Sequence, residues 1–203
     1  MVRAILDGRK TQTRRVIKPQ PDTEWLEHII KRNKTNRPYG EFGIMVMVDG
    51  KEKKSPYGVP GDKLYVRERF AFHKHYDHLA PSKVPDFAEV QYFATDEETM
   101  LRGKWRPSIH MPKWASRITL EIKDMRVERV RDITEEDAKS EGVSEAEQCD
   151  HVRQACEDIG CYGNGHRATF AHLWDSINLK RGYPWSKNCW VWVVEFEVIN
   201  GRK

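Results

Sequence analysis

The segment CWVWVVEFEVI, residues 189 to 199, constrains the fold more than any other stretch. Eight of its eleven residues are β-branched or aromatic, and such side chains pack well on a pleated surface while losing rotamer freedom in a helix. It is the strongest strand in the chain. RITLEIKDMRVERV (117–130) supplies a second, in which Ile118, Leu120 and Ile122 alternate with polar partners, the period-two pattern of a half-buried strand. GDKLYVRERF (61–70) reads as a strand leaving a Gly-Asp turn, and EVQYFAT (89–95) resumes strand character.

Helices are few and short by the same reading. MVRAILD places Val2, Ile5 and Leu6 on one face, with Gly8 as its stop. DITEEDAKSEG carries a capping box from Thr134 to Asp137 and ends at Gly142. ATFAHLWDSIN sets Phe170, Leu173, Trp174 and Ile177 at helical spacing, a core stripe. Residues 19 to 60, with five prolines and four glycines around GIMVMV, read as loop with a possible hairpin. Short strands with a few interspersed helices predict an α+β chain built on a small mixed barrel rather than a parallel sheet.

The chain has 203 residues and no linker, so one domain over 1–203 is expected. Seven tryptophans argue for a folded chain despite a charged fraction of 33%. No apolar run is long enough to span a membrane and no signal segment opens the chain, so the expected location is cytoplasmic. No G-x-G-x-x-G, P-loop or G-x-S-x-G pattern occurs, which argues against nucleotide cofactors and serine hydrolase chemistry.

Charge is unevenly distributed around a net +4. Residues 1–18 hold six Lys/Arg against one acid, residues 102–131 nine against three, and residues 132–158 reverse to ten acids against two bases. Two basic stretches beside an acidic one predict an anionic partner, nucleic acid first; the bland alternative is ordinary charge balance. In KWRPSIHMPKWASR, the cations Lys104, Arg106, Lys113 and Arg117 interleave with Trp105 and Trp114. Stacking rings beside phosphate-gripping cations suit single-stranded nucleic acid; the other reading has the tryptophans plugging the core.

Cys149, Cys156 and Cys161, beside His151 and His166, raise the question of zinc, but their spacing fits no ligand pattern. No metal and no cofactor is expected. His73, His75 and His78 read as a surface loop.

The octet GRKTQTRR (8–15) resembles the G-x-K-x-x-T-x-R signature of ASCH domains, a branch of the PUA-like barrels tied to RNA and modified nucleosides. GDKLYV, ITEEDAKSEG and VWVVEFEVI resemble, in order, that family's following strand, acidic helix and closing strand. WRPSIHMPKWASRI is similar to the longer ASCH-containing proteins often encoded by phages and prophages. The resemblance implies a PUA-like barrel with flanking helices, and insertions at about 19–56, 71–88 and 145–166. Members of the long type usually carry a strand before the first helix; this chain begins inside that helix, so either it starts late or the barrel lacks an edge strand.

Small bacterial members are amidohydrolases that remove the acetyl group from N4-acetylcytidine with Lys, Thr and Glu; others only bind RNA or cleave it. The matching positions here are Lys10, Thr13 and Glu141, with the motif's arginine at Arg15. The resemblance therefore implies a hydrolase acting on a modified nucleoside, or else a nucleic-acid or modified-base reader, or a ribonuclease. The expected partner is a nucleoside or single-stranded nucleic acid, RNA favoured.

The residues themselves allow such chemistry. Cationic neighbours Arg9, Arg14 and Arg15, with partial burial, lower the pKa of Lys10 towards that of a base. Thr13 is then a candidate nucleophile or positioner of water, Glu141 a proton relay, and Arg15 an anion grip. The alternative makes Gly8–Arg15 a helix stop followed by a phosphate-gripping turn without turnover.

Overall fold

A computed structural model describes residues 1–24, 26, 39–40, 43–96, 99–144 and 165–201. The chain is mixed α+β. Helices among the described residues include α1 (Val2–Leu6), α2 (Glu135–Ser140) and α3 (His166–Asn178). The strands are β1 (Gln12–Val16), β2 (Tyr39–Gly40), β3 (Gly43–Val48), β4 (Lys51–Lys54), β5 (Lys63–Tyr65), β6 (Phe70–Phe72), β7 (Val90–Tyr92), β8 (Ile118–Arg129) and β9 (Trp190–Gly201).

Four strands hydrogen-bond in the order β1-β9-β8-β5; β2-β3-β4 and β6-β7 form smaller sheets. Every pairing for which a register is resolved is antiparallel. No closed barrel is formed among the described residues. The long apolar segment is β9 as expected, and GIMVMV forms a hairpin with β4.

The expected strand over 61–70 is divided. Lys63, Leu64 and Tyr65 pair with Glu121, Leu120 and Thr119, whereas Phe70–Phe72 pairs with β7 in another sheet. Between them Glu68 turns inward to meet Arg117. On β8 the buried set also changes parity, from Ile118, Leu120 and Ile122 to Met125 and Val127. A shift of that kind is what an extra residue in a strand produces.

The chain divides into two compact units. The first comprises Met1–Gly8, Lys63–Glu121 and Glu197–Lys203, the second Arg9–Asp62 and Ile122–Phe196. The first has a core of Phe70, Phe72, Val84, Ala88, Met111 and Ala115, with Trp114 packed against it. The expected insertion at 71–88 contributes to that core through Phe72, Val84 and Ala88, on either side of short 3-10 turns at Lys74–Tyr76 and Pro81–Lys83. The second unit's core joins Val191 and Val193 of β9 to Phe170, Ala171 and Trp174 of α3. Most of the expected 145–166 insertion, with Cys149, His151, Cys156 and Cys161, lies outside the described residues.

Candidate functional site

Gly8, which ends the Met1–Gly8 stretch of the first unit, has φ +72°, a backbone conformation open to glycine; the residues from Arg9 onward belong to the second unit. Lys10 then forms an antiparallel bridge with Glu141, and Thr11 N donates to Ser140 O at 2.9 Å. The octet is thereby fastened along the end of α2. That helix is fixed at its start by the predicted capping box, in which Asp137 N donates to Thr134 Oγ1 at 3.0 Å and Thr134 N to Asp137 Oδ2 at 3.5 Å. Positions 137 and 141 are one turn apart, so both carboxylates face β1.

Strand alternation does the rest. Gln12 and Arg14 are buried, Thr13 is half-buried and Arg15 is exposed. The Lys10 ammonium donates to Gln12 O (2.7 Å), Glu141 O (2.8 Å) and Glu141 Oε2 (2.7 Å), which occupies all three of its donors. Arg14, with a side chain at 0% exposure, meets Glu128 and Asp137 at 3.0 Å and Glu141 at 3.5 Å. Arg126 continues the chain of charges to Glu128, Asp137 (3.0 Å) and Glu195.

Three cations and four carboxylates are thus interlocked. Burial pulls Lys10 below the ordinary lysine value; the charge and hydrogen bond of Glu141 push back, while Arg15 and Arg14 add to the lowering. Burial alone would raise Asp137, but Arg14 and Arg126 outweigh it and hold the carboxyl below its usual range.

Beside this network lies a polar pocket of about 310 Å³ walled by Thr11, Gln12, Lys123, Glu136, Asp137, Ser140, Glu195 and Phe196. Gln12 is 2% exposed. Its Oε1 accepts from Arg126 Nη2 at 3.3 Å, and its Nε2 makes no hydrogen bond. The amide still lies close enough to Asp137 to favour the ionised carboxyl. Sequence reading passed over Gln12, Glu128, Arg126 and Asp137 as site residues. The available signal was parity: Lys10, Gln12 and Arg14 alternate, and Asp137 and Glu141 stand four apart.

The structure brings Lys10 and Glu141 together, but Thr13 bonds to neither; alternation turns it away from Gln12 and Arg14. Arg9 is exposed and reaches Gly142 O at 3.4 Å.

The expected basic face over 104–117, in the first unit, is thinner than its composition implies. Arg106 is buried and donates to Tyr76 O at 3.0 Å. Arg117 is buried and grips both oxygens of Glu68, at 2.9 and 3.0 Å. Trp114 stacks on Phe72 with ring centroids 5.6 Å apart. Lys104 and Lys113 are exposed and Trp105 is half-buried.

No group of three His, Cys, Asp or Glu is arranged to hold a metal among the described residues. Cys189 is buried, and burial pushes its thiol up to about 11, which makes it unreactive. No described helix is long and apolar enough to cross a membrane. Comparison of the chain with known protein families, curated proteins and solved structures finds no match.

Proposed function

We propose that the second unit is a binding site for a nucleoside or nucleobase, read as an ASCH-type, PUA-like module. The observation that carries this reading is the wall chemistry of the 310 Å³ pocket. Its volume stands at the small end of ligand sites. Carboxylates of Glu136, Asp137 and Glu195 and hydroxyls of Thr11 and Ser140 accept from the amino and N–H edges of a base, Gln12 Nε2 donates to a ring or carbonyl acceptor, and Phe196 offers an aromatic wall. Three lining carboxylates against Lys123 disfavour a phosphate in the pocket itself.

Calorimetric titration with cytidine, N4-acetylcytidine and adenosine, alongside their 5′-monophosphates, tests it. The nucleosides are expected to bind, more tightly than the phosphates, and Gln12→Ala to weaken them. Failure of every nucleoside, or preference for the phosphates, overturns the reading.

A hydrolase acting on an N-acylated cytidine is a second reading, favoured by the buried Lys10–Glu141 contact at 2.7 Å and the lowered Lys10. Transfer of the Lys10 proton to Glu141 leaves a neutral amine able to take a proton from attacking water, and the carboxyl then protonates the departing base nitrogen. Thr13 has no hydrogen bond to this pair, so water is the nucleophile in this version. Acetate released from N4-acetylcytidine, and lost in Lys10→Arg with binding retained, supports it. Binding without acetate leaves the reader alone.

A further inference from the structure

The first unit carries a second surface, independent of the pocket above. Segment 101–106 runs antiparallel beside β6, through bridges Phe70↔Arg106 and His73↔Arg102, so that β6 lies between it and β7. Phe70 and Phe72 point into the core. Alternation then puts Arg69 and His73 on the other face, joined across β7 by Gln91 and Phe93.

On that face Phe93, 51% exposed, meets Trp105 edge-on with centroids 5.2 Å apart. The Arg69 guanidinium lies 4.4 Å from the Phe93 centroid and 5.8 Å from that of Trp105, and Arg102 lies 4.6 Å from Trp105. Arg69 is exposed, and its guanidinium has no hydrogen-bond or ion-pair partner among the described residues. Stacking on a ring holds a guanidinium in place while its in-plane N–H fork stays open to an anion.

Along the same face is a concavity of about 240 Å³ walled by His73, Glu89, Gln91, Thr99 and Leu101. Gln91 Nε2 donates to Thr99 Oγ1 at 2.9 Å, while its Oε1 is shut from solvent with no donor.

We propose that this face binds single-stranded nucleic acid. Bases stack on the Phe93–Trp105 platform and on the guanidinium planes, Arg69 grips a phosphodiester, and the edge of one unstacked base enters the concavity beside Gln91 and Thr99. Rings alternating with cations are what such a polymer needs; an acidic peptide would use the cations and leave the rings idle. Base pairs in a duplex cannot reach either feature.

Fluorescence anisotropy with labelled oligouridine and oligothymidine, against duplex DNA and a polyglutamate peptide, tests this. Single strands of either sugar are expected to bind and the duplex and peptide to compete poorly. Phe93→Ala should weaken binding about 5- to 150-fold, the range for loss of one base–aromatic stack. Arg69→Gln, an exposed change that keeps the fold, should lower the salt slope by about one.

No binding of single strands at low salt overturns the proposal. So does binding indifferent to both variants, or polyglutamate competing as well as oligouridine. Both variants should leave nucleoside binding by the Gln12 pocket unchanged, so that failure here and failure there are read separately.

Discussion

Arg14 and Arg69 differ in everything but charge. Arg14 has no exposed side-chain surface and shares three carboxylates, whereas Arg69 is exposed, lies over two aromatic rings and bonds to none. A guanidinium sealed from water must be matched by anions, because the desolvation penalty is otherwise several kcal/mol. One stacked on a ring at the surface keeps its hydration and its donors. The first kind holds a site in shape; the second is available to a partner. Cation counts along the sequence cannot separate the two.

The contrast breaks or stands most visibly at Lys10. Replacing it by Met leaves the Glu141 carboxylate beside Arg14 without its main partner, and should cost about 3–5 kcal/mol in chemical denaturation. The double variant Lys10→Met/Glu141→Leu should recover a large part of that loss, since burying two apolar groups is often neutral. Arg69→Gln is expected to stay within about 0.5 kcal/mol of the parent. Equal costs at Lys10 and Arg69 would end the distinction between sealed and open cations.

A smaller effect probes the same contrast inside the first unit. Arg117 makes two bonds to Glu68, and lysine cannot reproduce the fork. Arg117→Lys should lose about 1.5–3 kcal/mol, the worth of a hydrogen bond to a charged group. It should leave oligonucleotide affinity unchanged, whereas Arg69→Gln should do the reverse. Loss of affinity at Arg117 with stability intact would return that residue to the binding face. Smaller again is Thr134→Ala, which removes the cap of the helix that presents Asp137 and Glu141; thermal melting should show a loss of about 1 kcal/mol.

The strands β8 and β9, the capping box and the Phe170–Trp174 part of the α3 stripe were legible because each rests on local periodicity, whereas Ile177, expected in that stripe, is exposed. The break between β5 and β6 was not, since GDKLYVRERF alternates well throughout and only the inward pull of Arg117 on Glu68, 49 residues away in sequence, divides it. The Lys10–Glu141 contact was anticipated from the motif, but its surroundings were not. A strand whose polar residues face inward reads, from its sequence, as a strand whose polar residues face out. Arg106 and Arg117 were misjudged as open cations for the same reason. Phe93 and Arg69 escaped notice because strand pairing, not sequence proximity, brings them to Trp105.

The smallest expected effect is also the one that tests the electrostatics most directly. A lysine whose folded pKa is lowered binds fewer protons than the unfolded chain between that value and its ordinary 10.5. Stability contributed by Lys10 therefore rises with pH across that window and is lost as pH falls through the folded value. Arg15, exposed on the outer face of β1, contributes to the lowering by repulsion, and it also opposes the upward shift that burial gives Tyr57. Arg15→Gln should thus move both groups up, displacing the alkaline gain in stability towards higher pH and delaying the phenolate absorbance of Tyr57, read as the difference from Tyr57→Phe. Tyr57 acts in the opposite sense above its ordinary 10.0, so the Lys10 signal is read below that pH. Both shifts should shrink in high salt, because Arg15 is solvated while the Lys10–Glu141 contact is not. Should Arg15→Gln leave both titrations in place, burial and Glu141 alone set the protonation of Lys10, and the exposed arginines of the octet play no part in it.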